Sequence, residues 1–288
     1  MDRRPLVSVQ MVTFNHVRYI AQAIESALSQ KTDFDFEIVI GDDFSNDGTR
    51  EIVSHYAHQY PEKVFALLRE KNLGGGGKLN SMETFKQCRG KYLAQLEGDD
   101  YWNDPYKLQT QIKFLEANPQ YVGCYHNTEE RYEDDPTQAS FLYCDPGDAR
   151  SVSFSDLAYR NLIPTCSGIF RNRDFGALPE WFYELKMGDW PLHLINACDG
   201  DYWYIPKVMG VHRLHRQSTW MLQDADKNNQ FIIDAYDVMI RGFGADKEHA
   251  AFLVDGRQEF AEGIQQRKQP ATLKKRIKRV LINYLQKF

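Results

Sequence analysis

Apolar positions along the first hundred residues switch between a strand period and a helical one. Residues 6–12 form an apolar-rich run ending in Thr13-Phe14-Asn15, and Ile20, Ala23, Ile24, Ala27 and Leu28 then recur at helical spacing. A second apolar run covers 37–40, and a helix is predicted from 49 to about 60, where Pro61 ends it. Residues 64–68 read as a third strand, Gly74 to Gly77 as a loop, and 80–87 as a helix. Residues 91–96 form a fourth strand that closes at Glu97. Strand and helix repeats of this length predict βαβ units, right-handed crossovers and a parallel sheet forming a nucleotide-binding half. Beyond residue 110 the pattern loosens, and 221–270 reads as largely helical.

Two of these strands end in acid. Phe36-Glu37-Ile38-Val39-Ile40-Gly41 runs into Asp42-Asp43-Phe44-Ser45-Asn46-Asp47-Gly48-Thr49, and the fourth strand runs into Glu97-Gly98-Asp99-Asp100. In open α/β sheets the crevice beyond the carboxyl ends of the strands is where ligands bind, and carboxylates there suit a ribose, a base or a metal-held phosphate. A calcium loop starting at Asp43 would need Glu at its twelfth position, where Ser54 stands, and a helix before it rather than a strand. Ser45 or Asp47 can cap the following helix, but capping does not account for Asp42 and Asp43. The four-glycine run lacks the Gly-Lys-Ser/Thr ending of a P-loop and the spacing of a dinucleotide fingerprint. Either a mobile loop over a ligand or a plain surface turn satisfies it.

Composition narrows the classes without choosing among them. With 288 residues and 42% hydrophobic content the chain can bury a full core, and a net charge of −5 speaks against a generic nucleic-acid binder. Five cysteines, odd in number and at least twenty residues apart, match neither zinc nor redox spacing and are expected as buried reduced thiols. The first residues carry no apolar leader, and no apolar stretch is long enough to span a membrane, so a cytoplasmic location is expected.

Taken together, residues 7–15, the block from Asp42 to Thr49, Lys71-Asn72-Leu73-Gly74 and the run from Arg89 to Asp100 resemble glycosyltransferase family 2 in order and spacing, over roughly the first 220 residues. The resemblance implies a GT-A fold, a Rossmann-like mixed sheet flanked by helices, and inverting transfer of a sugar from a nucleotide donor. It implies a catalytic domain over 1–220, divided into a nucleotide-binding half (1–110) and an acceptor side (111–220), with a helical C-terminal extension over 221–288.

Carried over residue by residue, the resemblance assigns Thr13, Asn15, Asp42 and Asp43 to the base and ribose, with Arg69 or Lys71 near the base. Glu97-Gly98-Asp99-Asp100 takes the place of the family's Asp-x-Asp motif, whose carboxylates hold Mn²⁺ or Mg²⁺ against the donor diphosphate. Glu97 departs from the commoner Asp, and its longer stem reaches either the ribose or the ion through water. Asp99 and Asp100 are the expected anchors. Asp189, in Lys186-Met187-Gly188-Asp189-Trp190-Pro191, falls where the family keeps its catalytic base, and it also fits a helix N-cap, a role compatible with catalysis. In Val211-His212-Arg213-Leu214-His215-Arg216-Gln217-Ser218-Thr219-Trp220, His215 best matches the family's metal-closing histidine. Arg213 and Arg216 are then expected at the diphosphate. Trp102 and Trp190 suit either sugar stacking or packing.

The end of the chain differs in kind. Leu273, Ile277, Val280, Leu281, Tyr284, Leu285 and Phe288 share a helical face, with Lys274, Lys275, Arg276, Lys278 and Arg279 on the rest. Such a helix docks on an anionic membrane, which would make the protein peripheral at the inner face of the plasma membrane, or packs on its own domain or a second copy as a homo-oligomer. The function expected is a metal-dependent hexosyl- or N-acetylhexosaminyltransferase. Its donor is a nucleotide sugar, UDP-linked by preference, and its acceptor a saccharide or lipid-linked saccharide of surface polysaccharide biosynthesis. A nucleotide-sugar-forming nucleotidyltransferase would carry a Gly-rich signature after strand one, where Thr13-Phe14-Asn15-His16 stands. A non-catalytic sugar-nucleotide or membrane-surface binding module would not need the acids and His215 together.

Overall fold

The structure, a computed structural model of the 288-residue chain, describes residues 4–135, 137–145, 147–173, 178–216 and 225–268. The basic tail helix and the Gln217-Ser218-Thr219-Trp220 segment lie outside the described residues. The first half follows the apolar pattern closely. Strands β1 (Val7–Thr13), β2 (Phe36–Asp42), β3 (Val64–Leu68) and β4 (Tyr92–Glu97) alternate with helices α1 (Ile20–Leu28), α2 (Thr49–Gln59) and α3 (Lys78–Phe85), and α4 (Lys107–Ala117) follows. The second half is built from β5 (Tyr101–Trp102), β6 (Gly123–Tyr132), β7 (Phe141–Leu142), β8 (Arg150–Val152), α5 (Phe154–Tyr159), β9 (Ile169–Arg171), α6 (Glu180–Glu184), α7 (Asp189–Ala197) and β10 (Tyr202–Leu214). Helices α8 (Ala225–Gly242) and α9 (Lys247–Lys268) then form a hairpin against α5 and α6.

All ten strands join one sheet in the order β3-β2-β1-β4-β9-β6-β10-β5, with β7 on β6 and β8 on β10. β1 to β4 are parallel, whereas β9 runs antiparallel to both β4 and β6. The sheet is therefore mixed, as the GT-A expectation requires.

Strand alternation sorts side chains onto two faces. Val7, Val9 and Met11 of β1 point with Ile38, Ile40, Ala94 and Leu96 onto α1, α2 and α4. Burying each such large aliphatic side chain contributes about 1.5–3 kcal/mol. The opposite face carries Val39, Leu93, Phe170, Tyr202 and Tyr204, covered by α3, α5, α6, α7, α8 and α9. That face also holds a polar stripe. Ser8 Oγ donates to Glu37 Oε1 at 2.6 Å, Arg89 clasps Glu37 through Nε and Nη2, and Gln10 Nε2 donates to Ser81 Oγ at 3.1 Å.

Glycine is required where α3 meets the sheet. A Cβ on Gly41 would lie 2.1 Å from Thr84 Oγ1, and Asn80 Nδ2 donates to the Gly41 carbonyl at 2.7 Å. The four-glycine run is an ordered turn, with Gly74 to Gly77 all at positive φ, between +63° and +86°. Residues with a Cβ would be strained there.

Cys88, Cys124, Cys144 and Cys166 are buried free thiols as expected, and Cys198 is free but exposed. Among the described residues no helix is long and apolar enough to cross a membrane.

Candidate active site

The register of the parallel strands gathers the acids. Thr13 pairs with Asp42 across β1 and β2, and Val12 pairs with Glu97 across β1 and β4, so both acidic motifs open at one edge of the sheet. Glycine is required after Glu97, because a Cβ at Gly98 would meet Thr13 at 2.7 Å.

At the ends of β1 and β2 most of the polar groups pair with one another. Asp42 is fully enclosed; its Oδ1 accepts from Arg50 Nη1 at 3.0 Å and from the Ser45 amide at 3.1 Å. Asp43 Oδ1 accepts from the Leu73 amide at 2.7 Å. Asn15, at φ 57°, exchanges hydrogen bonds with the next loop, its amide donating to Ser45 Oγ and its Oδ1 accepting from the Asn46 amide. Arg69 is turned onto Asn80 and Thr84, and Lys71 is exposed. Thr13 Oγ1 and Asp42 Oδ2 are buried without a hydrogen-bond partner, which leaves two polar atoms at this edge for a ligand or water.

Asp99 stands at the next position inward. Its Oδ2 lies 3.0 Å from His215 Nε2 and 3.5 Å from His16 Nε2. Burial alone would push Asp99 up, but the imidazoles of His16 and His215 pull it down to about 2. Asp100 is wholly buried and turned away from solvent, its Oδ1 accepting from the Arg213 amide at 2.8 Å while Oδ2 has no partner. Burial pushes Asp100 up to about 7, against the pull of His212. Burial, then the charges of Asp99 and Asp100, holds Glu97 well above the usual carboxylate range.

Two imidazole nitrogens and a carboxylate oxygen thus converge, with further carboxylates beside them. That donor chemistry fits a divalent ion. The described residues nevertheless do not form a ready-made coordination shell of three or more His, Cys, Asp or Glu.

Glu97 and Asp99 face a cavity of about 530 Å³. Gln10, Gln95, Gly76, Gly77, Lys78, Asn161, Asp189 and His212 also line it. Asp189 is the first residue of α7, with Gly188 as N-cap, so it is not itself the cap. Asn161 Nδ2 donates to its Oδ2 at 2.8 Å. Burial raises Asp189 above the ordinary carboxylate range, against the amides of Trp190 and of its own residue and against Asn161. Lys78 fixes the approach to α7. Its ammonium is buried and donates to the carbonyls of Phe182, Tyr183 and Leu185, tying the glycine turn to the segment that ends at Asp189.

Several expected contacts take another form. Arg213 is buried and committed to protein: Nη1 donates to the Asp99 carbonyl, Nη2 to Gln22, and Nε lies 3.2 Å from Glu133. Its guanidinium sits over Tyr101 at 4.4 Å and Tyr19 at 5.1 Å, where desolvation and stacking reward a planar cation. The role this geometry gives it is fixing the Asp99 loop, in place of the expected diphosphate contact. Arg216 is exposed, its amide donating to Asp134. Trp102 and Trp190 are buried, with indole N–H groups on the carbonyls of Cys166 and Leu157, and so pack rather than stack on a ligand.

The sequence reading also missed participants. His16 follows Thr13-Phe14-Asn15 directly, so its place at a strand's carboxyl end was a usable signal. His212 lay in the singled-out segment 211–220 but was passed over for His215, whereas Asn161 and Glu130 carried no comparable local signal, because packing brings Asn161 to the cavity and strand pairing sets Glu130 behind His212.

Comparison with known proteins agrees with this geometry. The family model described as glycosyl transferase family 2 matches residues 8–175. An uncharacterized protein of Mycobacterium tuberculosis is 32% identical over 254 residues, covering 88% of this chain and 70% of its own length. Among solved structures, Staphylococcus aureus TarS 1-349 in complex with UDP-GlcNAc superposes with a TM-score of 0.58 at 21% identity, covering 81% of this chain and 64% of that one. The mannosyltransferase PcManGT from Pyrobaculum calidifontis, in complex with GDP-Man and Mn²⁺, gives a TM-score of 0.61 at 16% identity, covering 98% of this chain and 81% of that one. At these identities the two structures share the fold and nothing finer is inferred from them.

Proposed function

The chain belongs to glycosyltransferase family 2, and on that premise we propose that it transfers a sugar from a nucleotide donor, a UDP-sugar by preference, to a saccharide or lipid-linked saccharide hydroxyl in polysaccharide biosynthesis, with inversion. The observation that most supports this reading is the cavity of about 530 Å³ that Glu97, Asp99 and Asp189 line together. An inverting transfer needs a donor site and a proton acceptor in one chamber, since the hydroxyl attacks the anomeric carbon from the face opposite the departing nucleotide.

Asp189 is the proton acceptor in this reading. Asn161 and the first amides of α7 fix its carboxylate at the cavity, where an acceptor hydroxyl can reach it. As the acceptor oxygen bonds to the anomeric carbon, the bond from that carbon to the diphosphate oxygen breaks, its electron pair leaves with the nucleoside diphosphate, and the hydroxyl proton passes to Asp189. Asp99 and His215, with Asp100 behind them and His16 beside, would hold Mn²⁺ or Mg²⁺, which when bound neutralises the leaving diphosphate. The edge formed by Thr13, Asn15, Asp42 and Asp43 receives the base and ribose, with Arg69 and Lys71 flanking it.

The test is slow donor hydrolysis without acceptor, measured over a panel of UDP- and GDP-sugars with Mn²⁺. Turnover should vanish in excess chelator, and Asp99→Ala should lose it by roughly 10³-fold. Undiminished hydrolysis in chelator would overturn the metal assignment, and no hydrolysis or stabilisation by any nucleotide sugar would overturn the donor assignment.

A further inference from the structure

A second acid–base pair, a part-exposed His212 at the cavity with a buried Glu130 behind it, is not used by the function described above. Strands β6 and β10 run parallel, and their register sets Glu130 directly beside His212. His212 Nδ1 lies 2.6 Å from Glu130 Oε2, while Glu130 Oε1 accepts from Thr128 Oγ1 at 3.2 Å. Both oxygens of a buried carboxylate are thereby engaged, and the imidazole ring is locked by one nitrogen. His212 lines the cavity with Glu97, Asp99 and Asp189, so its other nitrogen is left for whatever the cavity holds.

Charge supplies the reason for such a pair. The chamber is crowded with Glu97, Asp99, Asp100 and Asp189, and a nucleoside diphosphate brings further negative charge into it. Arg213, the neighbouring guanidinium, is spent on protein groups. His212 is thus a cation held beside the acids with a free donor. Its location within the chamber is also defined. The antiparallel pairing of β5 with β10 sets Val211 opposite Tyr101, and the Arg213 amide donates to Asp100, so His212 stands beside the Glu97–Asp100 end of the chamber, the side given above to the diphosphate. Surrounding carboxylates, Asp100 and Glu130 first among them, keep it protonated against the cost of burial.

We propose that Glu130 and His212 form a diphosphate-binding dyad, in which Glu130 fixes the imidazole through Nδ1 and the Nε2–H of His212 donates to an oxygen of the donor's diphosphate. This rests on the donor-site reading above. The bond is present in the ground state and strengthens as negative charge gathers on the departing diphosphate, while the acceptor's proton still goes to Asp189. A fixed imidazolium therefore contributes to both donor affinity and turnover.

The experiment compares UDP with uridine, each with Mn²⁺, by calorimetry for the first and ligand-observed NMR for the second. His212→Ala should weaken UDP binding about tenfold, the scale of one charge-assisted hydrogen bond, and leave uridine unchanged. His212→Gln, whose amide can donate from nearly the same place, should recover part of the loss. Glu130→Leu should reproduce the loss, because the ring is no longer held. Equal losses for UDP and uridine would make the pair a structural element and overturn the dyad, as would unchanged UDP affinity in His212→Ala. If His212→Ala does not fold, Glu130→Gln carries the test, since it keeps the hydrogen-bonded shape without the charge: a selective loss for UDP supports the dyad, and no change overturns it. Failure of the wild-type protein to bind either UDP or GDP would instead remove the donor-site reading itself, and the dyad with it.

Discussion

The edge at the ends of β1 and β2 and the chamber between β4, α7 and β10 are both rich in carboxylates, yet they solve opposite problems. At the edge each acid has a nearby partner: Arg50 and the Ser45 amide for Asp42, the Leu73 amide for Asp43. The chamber brings Glu97, Asp99 and Asp189 to one cavity with Asp100 and Glu130 close by, and burial drives Glu97, Asp100 and Asp189 upward. The edge is thus largely organised before any ligand arrives, although burial raises Asp43 there too and Thr13 Oγ1 and Asp42 Oδ2 stay without a partner. The chamber stores unfavourable charge that a ligand or ion can relieve, and groups with displaced proton affinities are the ones suited to move protons or hold cations. The same residue type is closely partnered in one place and crowded by like charge in the other, according to what surrounds it.

The largest effect that would sharpen this contrast comes from the chamber. Asp189→Asn keeps size and the bond from Asn161 but removes the proton acceptor, so transfer should fall by roughly 10²–10⁴-fold while donor affinity persists. Parallel loss of donor binding, measured by titration calorimetry, would reassign Asp189 to structure.

At the edge the expected cost is in stability. Arg50→Met removes the ion pair from the fully enclosed Asp42 and should lower unfolding free energy by about 2–3 kcal/mol in denaturant titrations. A change within about 0.5 kcal/mol would mean that the edge is not held by this pair.

A smaller effect, and of opposite sign, belongs to Asp100. The fold raises it to about 7, whereas an unfolded Asp titrates near ~3.9. The folded state therefore holds the extra proton, and stability is lost as pH rises from about 4 to about 7. Asp100→Asn, which can still accept from the Arg213 amide, should stabilise the ligand-free protein at pH 8 by on the order of 1–2 kcal/mol and have little effect near pH 4. The same substitution should weaken Mn²⁺-dependent donor binding, a trade of function for stability. Destabilisation at pH 8 would show that the buried carboxylate is better paired than the chamber geometry implies.

Legibility in the sequence followed the range of the contacts. β1 to β4 and their helices were readable because each buries a face through its own periodicity, and the two acidic motifs were readable because each is a continuous run at a strand end. β10 was harder to read. Pro206 interrupts it, and its pairing with β6 shifts register between Ile205 and Val208 and again before Gly210. A proline inside a strand and a bulge both erase simple alternation. The glycine run could be read as a loop, but not as an ordered turn joined through Lys78 to the segment before Asp189.

By itself the sequence determined the α/β frame, the two acidic strand ends and the family, because alternation, turn residues and motif spacing are properties of short stretches. Only the tertiary structure decided which acids are closely partnered and which are crowded by burial and like charge. Arg213 and Arg216 look alike in sequence, but one is enclosed by Tyr19, Tyr101, Gln22 and Glu133 and the other is exposed. His212 and Glu130 lie 82 positions apart and become partners through the pairing of β6 with β10. The reason is physical: a side chain's charge state and role depend on desolvation and on neighbours brought together by long-range packing, and no local pattern encodes either.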